Sequence, residues 1–322
     1  MRKPVARLIV LALAGLVVAA PALAERVSGT QFDSARTADG FGRTVTYYLS
    51  DSPTPKPLAL VIQGSGCNAL FRPLTDGQMS AVGYHNVFRS VGGDRYRVLA
   101  VEKPGARSIA EAPIGGTAEE CPPAFLEEHT VERWAEALRA ALVAARAEAG
   151  VTQERTLVIG HSEGGVLAAR LARLDAKVSH AALLASPGPD PAGELVLWGE
   201  ARKRPRADTL DLIAHIRARP ESTTEFVLGH PHRRWASFLA ADPVADLLAS
   251  SARVFTAQGD ADVNWPIAAH DSLVAKLRAA GRGVTTLRLA GADHSLNRPG
   301  QKPPEGMAET FKAILAWVSA SP

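Results

Sequence analysis

The sequence predicts an α/β fold: a mostly parallel central sheet flanked by helices on both faces, with a helical cap inserted in the second half of the chain. Two features of the pattern lead to this prediction. Short apolar runs that end in glycine recur along the chain, and segments with apolar residues three and four positions apart lie between them. Continuous apolar runs are typical of strands buried on both faces of a parallel sheet, and alternating such strands with helices places helices on both sides.

Seven segments have the pattern of a strand: residues 43–49, 58–62, 96–101, 156–159, 181–184, 253–257 and 284–289. Apolar residues at helical spacing predict helices over 131–145, after residue 162, around 273–277 and over 307–318. Thr130 is the expected N-cap of the first helix, and Gly150 is its expected stop signal. The region 189–250 interrupts the alternation and is longer than a usual connection, so we expect a mostly helical cap there.

The N-terminus has the pattern of a signal peptide. Three basic residues precede an apolar run over 8–20 and the small-residue sequence Ala-Leu-Ala at 22–24. The run is shorter than the roughly 20 residues that span a bilayer, which argues against an uncleaved anchor. We therefore expect residues 1–24 to be removed, and 25–322 to form one exported domain, periplasmic or secreted, that is not bound to the membrane.

The charge balance gives no support for a nucleic-acid partner. The chain has 36 basic and 33 acidic residues, and the predicted signal peptide carries three basic residues and no acidic one. The mature chain would therefore have equal numbers of both signs. A high isoelectric point that belongs to the signal peptide does not indicate a basic binding surface.

The two cysteines, Cys67 and Cys121, are expected to form a disulfide, because the signal peptide implies an oxidising compartment. Two buried free thiols are the alternative. No Cys-x-x-Cys pair or Cys/His cluster is present, so the sequence predicts no metal site of that kind.

The most specific local signal is the sequence Gly-His-Ser-Glu-Gly at 160–164, which follows an apolar strand and precedes an amphipathic helix. A serine on a sharp strand-to-helix turn needs neighbours without side chains two positions away on either side. Such a turn exposes the Ser162 hydroxyl near the positive end of the helix. Ser162 is therefore the candidate nucleophile, with an ordinary tight turn as the alternative.

A serine nucleophile needs a base, and the base needs a carboxylate to orient it. The turn after strand 253–257 offers Asp260 and Asp262, and the turn after strand 284–289 offers His294. The chain has nine histidines, and His294 differs from the others by its position after the last strand. We interpret His129, His180, His215 and His270 as structural or surface residues.

Together these signals resemble the α/β-hydrolase superfamily over almost the whole chain after residue 24. In that superfamily the acid commonly stands in a Gly-x-x-Asp turn, which implies Asp262 rather than Asp260, and the histidine in a Gly-x-x-His turn, which matches His294. Residues 101–108 also resemble the superfamily's Asp-x-Arg-Gly-x-Gly-x-Ser loop. The resemblance implies a serine hydrolase that cleaves a small carboxylic ester without a cofactor or metal. The alternatives are a peptidase or amidase of the same fold, a thioesterase, which fits poorly with export, and a binding protein without turnover.

The tetrahedral intermediate of such a reaction needs two hydrogen-bond donors for its oxyanion. One is expected to be the backbone N–H of Glu163, the residue after the nucleophile. The other is expected in the loop at 63–67, where the superfamily usually has His-Gly and this chain has Gln63. We favour the N–H of Ser65, with Gly64 and Gly66 as alternatives. A disulfide at Cys67 would hold this loop in place.

Two further segments are candidates for the substrate pocket. His161, directly before the nucleophile, is predicted to line the pocket. In the cap, the sequence at 230–235 offers Trp235 as a wall of the acyl pocket, and Arg233 or Arg234 as a partner for a substrate carboxylate. The His-x-His pair at 230 and 232 has no third ligand in the sequence, so a metal site is not expected there.

Overall fold

The computed structural model describes residues 25–106 and 116–320; the predicted signal peptide lies outside them. The strands are Glu25–Arg26 (β1), Phe32–Ala38 (β2), Thr44–Ser50 (β3), Lys56–Ile62 (β4), Phe71–Pro73 (β5), Met79–Ala81 (β6), Arg97–Val101 (β7), Val151–His161 (β8), Val178–Leu184 (β9), Phe226–Val227 (β10), His230–Pro231 (β11), Arg253–Gly259 (β12) and Val284–Leu289 (β13). The helices are Tyr84–Gly92 (α1), Pro123–Glu128 (α2), Val131–Arg146 (α3), Glu163–Leu174 (α4), Pro191–Ala201 (α5), Arg206–Ala218 (α6), His232–Leu239 (α7), Pro243–Leu248 (α8), Ile267–Ala279 (α9) and Glu305–Ser319 (α10).

Nine strands form one sheet in the order β1-β2-β3-β7-β4-β8-β9-β12-β13. From β7 to β13 neighbouring strands are parallel, and β1, β2 and β3 add an antiparallel edge. The predicted fold class, a mostly parallel sheet with helices, is confirmed. The carboxyl ends of β4, β8, β12 and β13 lie at the same edge of the sheet, which is where ligands bind in folds of this kind.

The central strands contribute alternately to two hydrophobic cores. Leu58, Leu60 and Ile62 of β4 lie in one core, with apolar residues of α3, α4, α8 and α9. Ala59 and Val61 lie in the other, with residues of α1 and α10. Successive side chains of a strand point to opposite faces, so an unbroken apolar run supplies both cores at once.

The helix α3 begins where the sequence predicts. The Thr130 side chain accepts a hydrogen bond from the N–H of Arg133 at 3.3 Å, which is the bond of an N-cap. The helix ends at Arg146, before the expected stop at Gly150. Gly150 instead has φ of 79° in the turn that leads into β8.

Other elements differ from the prediction. The run at 284–289 is an edge strand whose Thr285, Thr286 and Arg288 are exposed, because β13 pairs only with β12. Sequence reasoning missed α1, although Tyr84, Phe88 and Val91 have helical spacing. It also missed β2, whose polar composition lacks the apolar signal of a strand.

Four helices and the ribbon β10–β11 lie between β9 and β12. The helices α5, α6 and α7 have a small core of their own, which includes Leu195, Ile213 and Trp235. The helix α8 packs on α4 instead, where Asp246 accepts hydrogen bonds from two arginines at 2.7 and 3.1 Å. Within the described ranges, none of the helices combines the length and the apolar character that a bilayer crossing needs.

Several buried histidines should make the fold sensitive to acid. Burial lowers the pKa of His85 and of His161 to about 3, and that of His129 to about 4. Between pH 6.5 and 4 the unfolded chain therefore binds protons that the folded chain does not. As the pH is lowered through this range, the free energy of unfolding should fall by up to about 1.4 kcal/mol per pH unit for each such histidine.

The variant His85→Phe isolates one of these groups. His85 packs against the rings of Phe32 and Phe71, both at 5.4 Å, so a phenyl ring suits the site. Urea unfolding should be measured between pH 7 and pH 4. The free energy of unfolding of the variant should depend less steeply on pH than that of the wild type, by up to about 1.4 kcal/mol per pH unit, which corresponds to one proton. Equal slopes would show that His85 does not contribute to acid sensitivity.

Candidate active site

Ser162 stands between β8 and α4 with φ of 57° and ψ of −127°, a conformation that residues with a side chain rarely adopt. Its N–H donates to the carbonyl of Leu184 at the end of β9, at 2.9 Å. The side chain lines a cavity of about 490 Å³ above the sheet. A strained backbone that presents a hydroxyl to a cavity is the geometry of a nucleophile at a strand-to-helix turn.

The two glycines of the motif are required by close backbone contacts. A Cβ on Gly160 would lie 1.9 Å from the carbonyl oxygen of Gly164. A Cβ on Gly164 would lie 2.7 Å from the carbonyl oxygen of Ile62, at the end of β4. The turn therefore brings α4 against the end of β4, and no other residue type fits either position without moving the backbone.

Asp262 and His294 are in direct contact. His294 Nδ1 and Asp262 Oδ2 are 2.8 Å apart, and Asp262 also accepts hydrogen bonds from the N–H groups of Asn264 and Trp265. Burial alone would raise the pKa of Asp262, but the hydrogen bond and charge of His294, with the two N–H donors, hold this pKa below its ordinary value. Asp260 is exposed and accepts from the N–H of Gly291 instead.

His294 and Ser162 line the same cavity. No hydrogen bond joins Ser162 Oγ to His294 Nε2 in the described part of the chain. Hydrogen bonds between a nucleophile and its base are often long in the absence of a ligand and shorten when one binds. The structure thus brings the three residues to one site and connects two of them directly.

His161 holds the His294 turn from the other side. Its Nε2 donates to the main-chain carbonyl of His294 at 2.8 Å, and the two rings are 4.8 Å apart. Burial is the main reason that the pKa of His161 lies at about 3, so its ring is neutral at pH 7. His161 lines the cavity, and a neutral ring bound to a carbonyl positions a neighbour rather than transferring protons.

The loop at 63–66 lies directly over Ser162. A Cβ on Gly64 would lie 3.1 Å from the Cβ of Ser162, and Ser65 lines the cavity. The N–H of Ser65 donates to no acceptor within residues 25–106 and 116–320. Glu163 is the first residue of α4, so its N–H has no acceptor inside the helix. Both N–H groups are therefore free to bind an oxyanion near Ser162.

The predicted disulfide between Cys67 and Cys121 is present, and it closes a loop with a sequence separation of 54. It joins the end of the loop over Ser162 to the segment before α2. We expect replacement of both cysteines by serine to lower the free energy of unfolding by up to about 4 kcal/mol, because the cross-link restricts the unfolded chain. Urea unfolding of the double variant measures this loss of stability, and wild-type protein in dithiothreitol should lose a similar amount. Unchanged stability in the double variant would contradict the expectation.

A buried ionic cluster lies beneath the site, and sequence reasoning missed it. The Glu163 carboxylate is 1% exposed and accepts from His129 Nε2 at 2.6 Å, Arg234 Nη2 at 2.7 Å and Lys103 Nζ at 3.3 Å. His129 was interpreted only as a structural or surface histidine, and Lys103 lies in the loop that resembles the superfamily's. The sequence signal that points to it is a lysine two positions after the buried strand β7, where an unpaired charge is costly.

Lys103 also connects this cluster to the loop over Ser162. Its ammonium donates to the carbonyl of Gly66 at 2.6 Å and to the carbonyl of Gly64. It lies 4.4 Å from the ring centroid of Trp134, a cation–π contact. One side chain therefore ties the two segments that would supply the oxyanion donors.

The cluster carries one positive charge in excess at pH 7. Burial opposes ionisation of Glu163, but the surrounding His129, Lys103 and Arg234 hold its pKa well below its ordinary value. Burial lowers the pKa of Lys103 to about 8 and that of His129 to about 4. At neutral pH two cations thus surround one carboxylate and a neutral histidine.

Aromatic side chains form much of the cavity wall. Trp235, predicted as a wall of the pocket, lines it and donates Nε1–H to the carbonyl of Val227 at 2.6 Å. Tyr84, Trp198 and Trp265 line it as well, although sequence reasoning did not single them out. These residues come from the cap, from the start of α1 and from the turn after β12, which are far apart in the sequence.

The two arginines of the cap have different positions. Arg234 lines the cavity, and its Nε and Nη1 are buried without a hydrogen-bond partner in the described residues. Arg233 instead donates to the carbonyl of Glu127 at 2.9 Å and pairs with Glu221. Of the loop at 101–108, the last two residues lie outside the described part of the chain.

Solved structures of low sequence identity share this architecture. Est1E from Butyrivibrio proteoclasticus with bound ferulic acid is 15% identical, with a TM-score of 0.57 over 87% of this chain and 97% of that one. The esterase domain of a Rhodothermus marinus protein is 16% identical, with a TM-score of 0.56 over 90% of this chain and 99% of that domain. The acylaminoacyl peptidase of Pyrococcus horikoshii is 11% identical, with a TM-score of 0.61 over 90% of this chain and 42% of that protein.

These likenesses establish the class of the molecule: the chain has the α/β-hydrolase fold. The resemblance inferred from the sequence is thus confirmed at the level of the fold. No protein-family model matches the sequence, and a comparison with curated proteins found no match.

Proposed function

We propose that this protein is an exported serine hydrolase that cleaves small carboxylic esters. The observation that supports this most strongly is that Ser162 and His294 line one cavity and that Asp262 is hydrogen-bonded to His294, with a loop of free N–H groups above the serine. These residues come from three turns that are far apart in the chain. Packing alone does not require a hydroxyl, an imidazole and a carboxylate to meet there.

In the proposed reaction, Ser162 attacks the carbonyl carbon of the ester while His294 Nε2 takes the hydroxyl proton. Asp262 accepts from Nδ1, fixes the ring orientation and stabilises the imidazolium. His294 then returns the proton to the leaving alcohol. A water molecule releases the acyl group from Ser162 by the same route.

The tetrahedral intermediate carries negative charge on the former carbonyl oxygen. The N–H groups of Glu163 and Ser65 are the proposed donors to this oxyanion. The excess positive charge of the buried cluster lies beneath the same turn, and in a site of low polarity it favours the developing anion.

The cavity suits a substrate of modest size with an apolar or aromatic group. Its volume is about 490 Å³, and its wall includes the rings of Trp198, Trp235 and Trp265. Rings of this kind offer large flat contact surfaces. Export is supported by the signal-peptide pattern at 1–24 and by the disulfide.

The experiment that tests the proposal is a substrate panel of p-nitrophenyl esters and aminoacyl p-nitroanilides, combined with a fluorophosphonate probe. We expect turnover of esters, little turnover of anilides, and covalent labelling of the peptide that contains Ser162. Turnover of anilides alone would favour a peptidase. Absence of both turnover and labelling would favour a binding protein and contradict the proposal.

A further inference from the structure

The two histidines of the His-x-His pair at 230 and 232 have separate environments. His230 lines the cavity, and its ring lies 5.9 Å from that of Trp235. His232, the first residue of α7, faces α6 instead, where its ring is 5.0 Å from that of His215 at an interplanar angle of 85°. The pair therefore does not act as a unit, and His232 belongs to a different cluster.

His232 is buried without a hydrogen-bond partner. Its exposed fraction is 0%, and neither ring nitrogen has a partner within residues 25–106 and 116–320. Buried polar atoms are normally paired, so a buried ring with two unpaired nitrogens has the capacity to bind a ligand. Its Nδ1 lies 4.0 Å from Glu225 Oε2, and His215 Nε2 lies 3.5 Å from the same oxygen.

We propose that His215, Glu225 and His232 bind a divalent transition-metal ion, with Zn²⁺ as the best match. Two imidazole nitrogens and one carboxylate oxygen are a common zinc ligand set, with water in the fourth position. Each residue offers one ligand atom, and these atoms lie within 4.8 Å of one another. Around a tetrahedral zinc ion neighbouring ligand atoms are about 3.3 Å apart, as follows from zinc–ligand bonds of about 2.0 Å. The two distances to Glu225 Oε2, 3.5 and 4.0 Å, are near that spacing, and no two of the three ligand atoms are more than 4.8 Å apart.

The surroundings of Glu225 fit this role. Arg219 donates to the other carboxylate oxygen, Oε1, at 2.6 Å, which orients the side chain and leaves Oε2 for the metal. The His215 side chain is 56% exposed, so an ion can reach the cluster from solvent.

The ion would join the second half of α6 to the first residue of α7. The helix α7 also carries Arg234 and Trp235, which line the cavity. The metal would therefore stabilise the arrangement of cap helices that shapes one wall of the cavity, without contact with Ser162. This inference does not depend on the proposed ester hydrolysis.

Titration calorimetry with ZnCl₂ on tag-free protein, freed of metal with a chelator, tests the site. We expect one zinc ion per chain, a higher Tm with zinc, and no comparable effect of Mg²⁺. His215→Ala is the main variant because an exposed side chain can be removed without harm to folding. It should lower zinc affinity by at least about 10-fold and abolish the rise in Tm.

His230→Ala is the matched control from the same His-x-His pair, and it should keep wild-type zinc affinity. Wild type without zinc binding would overturn the proposal. Equal loss of affinity in His215→Ala and His230→Ala would do so too, because it would place the ion elsewhere. Glu225→Gln provides a second check: it keeps the size of the side chain and should weaken zinc binding in the same direction as His215→Ala.

Discussion

Replacement of Ser162 by alanine is expected to lower kcat for ester hydrolysis by about 10⁴- to 10⁶-fold, the range seen when a serine nucleophile is removed from a catalytic triad. The change deletes one oxygen atom at a position that already has an unusual φ of 57°. Stability should therefore be unchanged or slightly higher in urea unfolding. Labelling by a fluorophosphonate should disappear together with the activity.

The two aspartates of the turn after β12 provide a matched comparison for the same mechanism. Asp262→Asn should lower kcat by about 10⁴-fold, because the amide no longer stabilises the imidazolium of His294 and favours the wrong tautomer. Asp260→Asn should retain kcat, since an amide oxygen can still accept the hydrogen bond from Gly291. Equal effects of both changes, or full activity in Ser162→Ala, would contradict the proposed triad.

Replacement of Lys103 by methionine is expected to have the largest effect outside the proposed triad, with kcat lowered by about 10²- to 10³-fold, as for the loss of an oxyanion donor. The change leaves the carbonyls of Gly64 and Gly66 without their donor and removes one cation from the buried Glu163. KM should change much less than kcat, because the loop acts on the oxyanion that forms in the transition state.

Stability should fall as well, by about 3 to 5 kcal/mol, because one partner of a buried ion pair is removed. The control is Arg146→Met, which breaks the buried pair of Arg146 with Asp175 and lines no part of the cavity. It should destabilise the protein but retain kcat in folded molecules. An equal loss of kcat in both variants would mean that Lys103 acts only through stability.

Glu163→Gln tests the same cluster from the other side. The amide keeps the size of the side chain but leaves Lys103 and Arg234 without a counter-charge. A double-mutant cycle with Lys103→Met should give a coupling energy above about 0.5 kcal/mol in stability, as expected of residues in contact. If the two changes were additive in both stability and kcat, the cluster would not act as a unit.

Local patterns were sufficient to find the central strands of the sheet and the candidate nucleophile. The apolar runs that predict β4, β8, β9 and β12 are strands in the structure, because a strand buried on both faces has one dominant sequence requirement. The motif at 160–164 could be recognised because its glycines are required by local sterics. A Cβ at either glycine would lie only 1.9 or 2.7 Å from a carbonyl oxygen. Position after β12 and β13 indicated Asp260, Asp262 and His294, and the resemblance to the α/β-hydrolase superfamily was needed to favour Asp262 over Asp260.

The sequence by itself thus determined the parallel strands at the centre of the sheet, the turn that carries Ser162 and the candidate histidine, since each follows from a short stretch of chain. Only the tertiary structure decided the surroundings of Glu163 and the separation of His230 from His232. Lys103, His129 and Arg234 come from three distant segments, and His215 and Glu225 approach His232 only when α6 packs on α7. The physical reason is that the partners of a charged side chain or an imidazole do not follow from its neighbours in the sequence. Its role depends on which side chains the fold brings within hydrogen-bond or ligand distance.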